Sequence, residues 1–548
     1  MPTKSKPRYR VAAHADGRVK SINEVMPPVP TANLGGGSSS GGYEGAQRQR
    51  RLFGFRPSEA GINSLNMFSG YTLRARGRYL VRNNPYARKA RRVFVSNLIG
   101  TGIRPIPKPK DDTLKTPISE LWNDWVDEAD ADGVANLYGL EELVGNALFE
   151  AGECFIRRRP RLARDGLSVP TQIQLLESEF CPYELNFITA TGNIVRSGIE
   201  FNAIGQRVAY YFWKSHPGEF AMIGANTGYT RVPAADVLHI FKPERPGQIR
   251  GVSWLVTAIV TAYIHDQYED AELARKLTAS LFAGFIYRPT NSQDDPPVPG
   301  GDIPDLGPRS TASDADGEVV QGLSPGTLQY LEDGEQITFS EPADVGANYE
   351  AFEYRAILKL CAGMDLPYSS VSGDYSKANY SSLRASLLDL RSAVKMLQNT
   401  VIFQMCRPIY QWFINDAVLS GALKVKASAF NANKRDYLRV QWIAPRMEWV
   451  DPTKDMAADN QAMRSGVESR EAVVLSRGST LEEVDAAIAR SNESADAHGL
   501  VLDSDARRTN ARGSAAPPDI TSPPAENASE KQTDNNDEET VDETANAA

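Results

Sequence analysis

The side chains best placed to do chemistry in this sequence are cations. Between Glu59 and Asp111 there is no acidic residue, and the stretch holds eleven lysines and arginines. Eight of them crowd into 74–92: Arg74, Arg76, Arg78, Arg82, Arg88, Lys89, Arg91 and Arg92. Guanidinium and ammonium groups at this density suit phosphates, because each neutralised phosphate releases its condensed counterion. A second polar group, with Tyr375, Lys377, Asn379, Tyr380 and Arg384, lies in and just after a loop of small, polar and aromatic residues, Ser369–Tyr380.

Arrangements that carry catalysis are not legible. The chain has no GxxxxGKS or GxxxxGKT phosphate loop, no HExxH and no GxSxG. The glycines of 35–42 are low complexity, not a phosphate cradle. Cys154, Cys181, Cys361 and Cys406 form no CxxC pair and lie in or beside apolar runs, so they read as buried free thiols of a reducing compartment. The five histidines are too scattered to complete a zinc site. Asp130/Asp132 and Asp503/Asp505 are D-x-D pairs without the spacing of a calcium loop and are expected at the solvated surface. The expectation is a protein that is not an enzyme and has no cofactor and no metal. A site assembled from distant residues would leave no such motif.

Charge limits the partners. The net charge is −9, and residues 111–516 carry 38 basic against 56 acidic side chains. Pro517–Ala548 holds nine acids and one lysine. A polyanion can therefore meet only part of the surface, and indiscriminate coating of DNA is excluded. Met1–Arg10 lacks an apolar core, and the longest apolar run, Val252–Ile264, is too short for a bilayer. A soluble chain made in the cytoplasm, without a membrane partner, is expected.

The elements that must position these side chains follow from periodicity. Residues 1–45, rich in Pro, Gly and Ser, predict a flexible arm. Asn84 and Pro85 predict a helix start; Ala90, Val93, Phe94, Asn97 and Leu98 then share a face, and Gly100 ends the helix. Thr116 and Pro117 predict a second start, with Leu121, Trp122, Trp125 and Val126 apolar. Gly139–Ala151 predicts another helix. Period two then predicts strands at Cys154–Arg159, Gln172–Glu177, Ile194–Phe201, Arg207–Trp213 and Asp236–Phe241, with 202–205 as a hairpin connection. Ser253–Phe282 has no proline or glycine and predicts one helix of roughly 45 Å. Its apolar stripe is weak, which suits a helix held by several neighbours. Residues 289–326 predict an irregular loop, followed by strands near Thr327–Leu331 and Gln336–Phe339. Helices are predicted over Tyr349–Ala362, over Ser381–Cys406 with a kink at Pro408 and continuation to Leu419, and over 453–465 and 480–498. The tail from about 503 predicts disorder. Trp122, Trp125, Trp254 and Trp442 are expected as core or interface anchors.

With these elements in order, the sequence resembles the lambda-type family of tailed-bacteriophage portal proteins over roughly 45–500. The resemblance rests on Asn83–Ala87 running to Ile99–Ile103, on Gly152–Phe155, on Leu238–Phe241 leading to Pro246–Gly251, and on Asp374–Arg384. It implies an α+β, elongated, multi-part subunit that assembles into a ring, usually a dodecamer, around a DNA channel at one capsid vertex. By order, it implies an arm (1–45), a wing (46–252), a first stem helix (253–282), a clip (283–346), a second stem helix (347–363), a tunnel loop (364–382), wing and crown helices (383–500) and an acidic tail (501–548). The implied partners are further copies of the chain, the major capsid protein, the terminase large subunit, the head–tail connector and double-stranded DNA. Tyr375, Lys377, Asn379, Tyr380 and Arg384 would then line the tunnel. The basic stretch would either face packaged DNA or, as its apolar spacing favours, form ion pairs with acidic faces of neighbouring subunits. Two rivals stand beside this: a monomeric nucleic-acid-binding protein built on 74–92, and an enzyme with a site assembled from distant residues.

Overall fold

A computed structural model describes residues 57–219, 228–281, 348–445 and 452–500, short β segments at 285–287, 312–313, 319–320 and 336–338, and single residues 502, 505 and 507. The chain divides into two units, Met1–Gly61 and Ile62–Ala548. Of the first unit, residues 57–61 are described and form no regular element. The expected arm 1–45, the strand Thr327–Leu331, and nearly all of the 289–326 loop and the acidic tail lie outside the described residues.

The second unit opens with α1 (Ile62–Asn83) and α2 (Pro85–Leu98), separated by Asn84 alone. Periodicity did not predict α1. Two glycines interrupt it, and glycine weakens a helix in isolation. Here they permit close packing: a Cβ on Gly77 would stand 2.5 Å from the Glu150 carbonyl oxygen, and one on Gly70 2.7 Å from the Tyr183 ring. After β1 (Arg104–Pro107), α3 spans Lys115–Glu128. Thr116 does not cap it. A 3-10 turn over Asp112–Leu114, capped by Asp111, runs straight into α3 and leaves Thr116 inside its first turn. Asn136 caps α4 (Leu137–Glu150), two residues before the expected start.

Strand β2 (Glu153–Pro160) is the centre of an antiparallel sheet between β3 (Thr171–Glu177) and, later in the chain, Val237–Phe241. A five-stranded antiparallel meander follows: β4 (Phe187–Ile188), β5 (Ile194–Arg196), β6 (Ile199–Phe201), β7 (Arg207–Trp213) and β8 (Tyr229–Pro233). The single strand expected over Ile194–Phe201 is thus two. Ser197 (φ 48°) and Gly198 (φ 77°) make a two-residue turn between them, and Ser-Gly is a turn signal that the unbroken alternation masked. Val237–Phe241 is β9. The first predicted long helix begins late: Trp254–Ala258 form turns, and α5 covers Ile259–Leu281. The β segments Phe285–Tyr287 (β10) and Gln336–Thr338 (β13) pair, as do Ala312–Ser313 (β11) and Val319–Val320 (β12).

Helix α6 spans Asn348–Gly363. The loop expected at 369–380 starts as a short helix, α7 (Tyr368–Ser372), closed by Gly373 with left-handed backbone. The predicted stripe runs along α8 (Tyr380–Val401), whose Leu390, Val394, Leu397 and Val401 are buried. The kink before Pro408 is one π-helical turn, Ile402–Cys406, after which α9 (Arg407–Ser420) continues. Short helices α10 (Ala427–Ala432) and α11 (Lys434–Tyr437) lead to β14 (Val440–Ile443), which pairs with β1. Last come α12 (Pro452–Arg464), α13 (Arg470–Ser476) and α14 (Leu481–Ala497).

Two apolar clusters hold the unit. The larger packs α2 to α4, α6, α8 and α9, with Trp122, Trp125, Tyr410 and Phe413 in mutual ring contact. The smaller lies between the two sheets, around Phe155, Tyr210 and Phe212. Strand β2 serves both: Cys154 and Ile156 enter the first cluster and Phe155 the second, as period two requires. All four cysteines are free and buried. Asp130 is not at the surface. It is buried and accepts N–H bonds from Asp132, Val134 and Ala135, so its carboxylate organises a turn. Among the described residues no helix is long and apolar enough to cross a membrane.

Candidate subunit and nucleic-acid interfaces

The basic segment folds around Asn84. Its side chain accepts the Ala87 N–H at 3.0 Å, and Pro85 occupies the first helical position, so α1 ends and α2 starts with orphan donors satisfied. This splits the cations into two sets. Arg74 pairs with Glu179 at 2.9 Å and donates to Ser178, Arg78 pairs with Glu177 and Glu179, and Arg91 pairs with Glu150 at 2.7 Å. Ion pairing was expected, but with other subunits; these partners lie on β3, the turn after it, and α4 of the same chain. Arg76, Arg82, Arg88, Lys89 and Arg92 are exposed. The last four line an open cleft of about 870 Å³ with Asn83, Ser96 and Asn146, in which Glu142 is the only acid.

The second polar group sits where α7 turns into α8. Asn379 is the N-cap of α8, accepting the Ser382 N–H at 2.8 Å while the Ser382 hydroxyl accepts the Asn379 N–H. Lys377 reaches Glu350 of α6 at 2.8 Å and lies 4.5 Å over the Tyr354 ring. Arg384 approaches Asp455 of α12 at 3.4 Å. Tyr375 and Tyr380 are exposed. Asp374 stiffens the loop: the Ser376 hydroxyl and N–H both donate to it, which lowers its pKa.

Helix α5 buries a largely polar face and exposes apolar residues elsewhere. Ala262, His265 and Glu272 face inward, where Tyr268 meets Phe352 of α6 at 4.8 Å between ring centres and Asp266 accepts from Asn84. Trp254 and Thr257, just before the helix, donate to the Met364 and Gly363 carbonyls. Val260, Tyr263 and Ile264 near its start, and Leu273 and Leu277 near its end, are each more than half exposed. Val260, Tyr263 and Ile264, at i, i+3 and i+4, share one face and leave an apolar patch exposed, which is unusual on a surface helix.

One constellation escaped the sequence reading. Three of the segments that carry the family resemblance converge on a single buried network. Glu153 of β2 receives Arg250 at 2.5 Å, His239 of β9 at 3.0 Å, the Gly251 N–H at 2.7 Å and the Ser178 hydroxyl at 2.6 Å. Arg250 also donates to the Ser197 and Cys181 carbonyls and lies 3.9 Å over the Tyr183 ring. Gly152 and Gly251 let the two backbones touch: a Cβ on Gly251 would fall 2.2 Å from the Gly152 oxygen. Burial opposes the Glu153 charge, but Arg250 and the His239 bond outweigh it and hold the carboxyl well below its usual range. Burial likewise keeps His239 neutral, with its pKa lowered to about 4. These are the perturbed acid and histidine that the enzyme reading would need. Their side chains are at most 1% exposed and both Glu153 oxygens are occupied by donors, so no substrate reaches them. The network rivets the sheets to the loop that leads into α5.

The model of the phage portal protein, lambda family, matches residues 48–398. The probable portal protein of Halomonas phage phiHAP-1 is 27% identical over 413 residues, covering 73% of this chain and 74% of that one. Portal protein B of Escherichia phage lambda is 20% identical over 497 residues, 85% of this chain and 90% of the relative. Among solved structures, a chain of the virion of a native gene transfer agent particle aligns with TM-score 0.43 and 15% identity, over 77% of this chain and 95% of that one. With a family match spanning most of the described core, this chain belongs to the lambda family of phage portal proteins.

Proposed function

We propose that this portal protein works as one wedge of a closed ring, twelve copies in the family pattern, through which double-stranded DNA enters and leaves the capsid at one vertex. The observation that carries the reading is the exposed apolar patch of Val260, Tyr263 and Ile264 on the first turns of α5. A subunit in a rotationally closed ring has a different neighbour on each flank. A helix packed on its own chain by one face and presenting an apolar patch on another fits that geometry.

In this reading α5 and α6 are the two stem helices, residues 283–346 the clip, 364–382 the tunnel loop, 46–252 the wing, and the helices from 383 to 500 wing and crown. The tunnel loop carries Tyr375, Lys377, Tyr380 and Arg384 toward the channel, with Asn379 holding the loop to α8. Lys377 and Arg384 already have acidic partners in the protomer, so they meet passing phosphates as weak, exchangeable contacts that guide without gripping. The capsid protein, the terminase large subunit and the head–tail connector dock on the ring's outer surfaces.

Mass measured by light scattering decides the matter. The ring reading expects a particle of about 720 kDa for twelve copies of the 60.1 kDa chain. A single well-folded 60.1 kDa species under assembly conditions would overturn it. That species is what the monomeric nucleic-acid-binding reading expects, and three of the eight cations on which that reading depends are engaged by acids of the same chain.

A further inference from the structure

The interface between α5 and α6 contains an arrangement that ring formation and DNA passage do not require. His265 of α5 presents Nδ1 to Glu269, one turn on, at 3.6 Å, and Nε2 to Glu353 of α6 at 2.8 Å. One donor atom from each of the three lies within 4.8 Å of the others. The His265 side chain is 5% exposed and that of Glu353 16%. Nε2 of His265 and both Glu353 oxygens are nevertheless buried without a hydrogen bond. The short separation and the missing bond are compatible: the atoms are close, but they do not point along each other's donor axis.

Electrostatics gives the cluster a sign. Two carboxylates face one imidazole, and Asp266 and Asp270 add to the negative field at Glu269. The Tyr86 ring stands edge-on to His265, 5.9 Å between centres, and walls the cluster on the α2 side. Carboxylates taken from water in this way need a counter-charge among them. We infer that His265, Glu269 and Glu353 form a binding site for a divalent transition-metal cation of the zinc class, which ties α5 to α6.

The ligand set makes the choice. An imidazole nitrogen with two carboxylate oxygens suits zinc and its first-row neighbours, whereas calcium and magnesium take oxygen alone. A +2 ion neutralises the two carboxylates, and three protein ligands leave a fourth position for water. Bonds of about 2.0–2.2 Å put neighbouring ligands roughly 3.3 Å apart, so around the ion Glu353 draws back slightly from its 2.8 Å approach to Nε2 and Glu269 moves in. The other histidine-with-acids group, Glu177, Glu179 and His216, supports no such argument, because Arg74 and Arg78 already neutralise its carboxylates.

The test uses the full chain in its assembled state, stripped with a chelator and then equilibrated with zinc chloride. Bound metal is counted by elemental analysis. About one zinc per chain is expected, with affinity falling at least about tenfold in Glu353→Gln and in His265→Gln. Cobalt(II) provides a measurement on the unaltered protein: an intense visible spectrum of low-coordinate cobalt bound to nitrogen and oxygen is expected. Zinc retention no greater than in the two variants, or cobalt that keeps the weak spectrum of the free aqueous ion, would overturn the site and show that a shared proton supplies the missing charge. The particle mass of each sample, read in parallel, reports separately on the ring.

Discussion

Glu153 illustrates how much can rest on one carboxylate. Removing its charge leaves Arg250 buried with no counter-ion, and breaking such a pair costs about 3–5 kcal/mol. Glu153→Gln is therefore expected to lower the melting temperature sharply and reduce soluble yield, while Lys108→Gln, at an exposed pair with Glu471, changes melting little. Acid acts on the same network. A depressed carboxylate contributes stability that is lost as pH falls through its folded pKa. His239, neutral down to about 4, adds a loss as pH drops from its ordinary 6.5 toward that value, because only the unfolded chain takes up the proton. Glu141 runs the other way. Burial pushes its pKa up to about 8 although the Ile103 N–H donates to it at 2.8 Å. Its stability contribution is complete below 4.5 and lost as pH rises through 8. Glu141→Gln mimics the protonated form, so it is expected to melt like the parent at pH 5 and higher than the parent at pH 9, as calorimetry at the two values would read.

At the scale of elements, the pair α1 and α2 matters most. Three arginines tie it down and leave the cleft cations outward. If that cleft meets DNA in the ring, Arg88→Gln together with Arg92→Gln weakens DNA binding and reduces the steepness of its salt dependence by about 2 in the log–log slope. Binding curves of assembled rings at several salt concentrations check this; unchanged slopes would assign the cleft to protein contacts. Helix α2 was legible in advance because its signals are local: a cap, a proline and an apolar stripe. Helix α1 was not, because its stripe includes Gly77 and Arg74, and their burial depends on Glu150, Glu179 and Ser178, far along the chain. The turn at Ser197–Gly198 was missed for a similar reason. Alternation continued across it, and only pairing between β5 and β6 shows that the chain reverses.

For the whole molecule, assembly should be separable from folding. Ile264 is 60% exposed on α5. Ile264→Glu is expected to leave the protomer folded, with unchanged circular dichroism, and to shift the mass from ring to protomer. A ring that forms normally would remove that side of α5 from the subunit contact.

The family, the order of most helices and strands, the buried thiols and the Asn84 cap were determined by sequence, since each depends on neighbours a few residues away or on the linear order of segments. The partners of Arg74, Arg78 and Arg91, the buried Asp130, the Glu153–Arg250–His239 network and the His265–Glu269–Glu353 cluster were decided by tertiary structure. In each of these a charge is paired or stranded by groups brought together only on folding, and the energy of a buried charge depends on distance in space, which spacing along the chain does not encode.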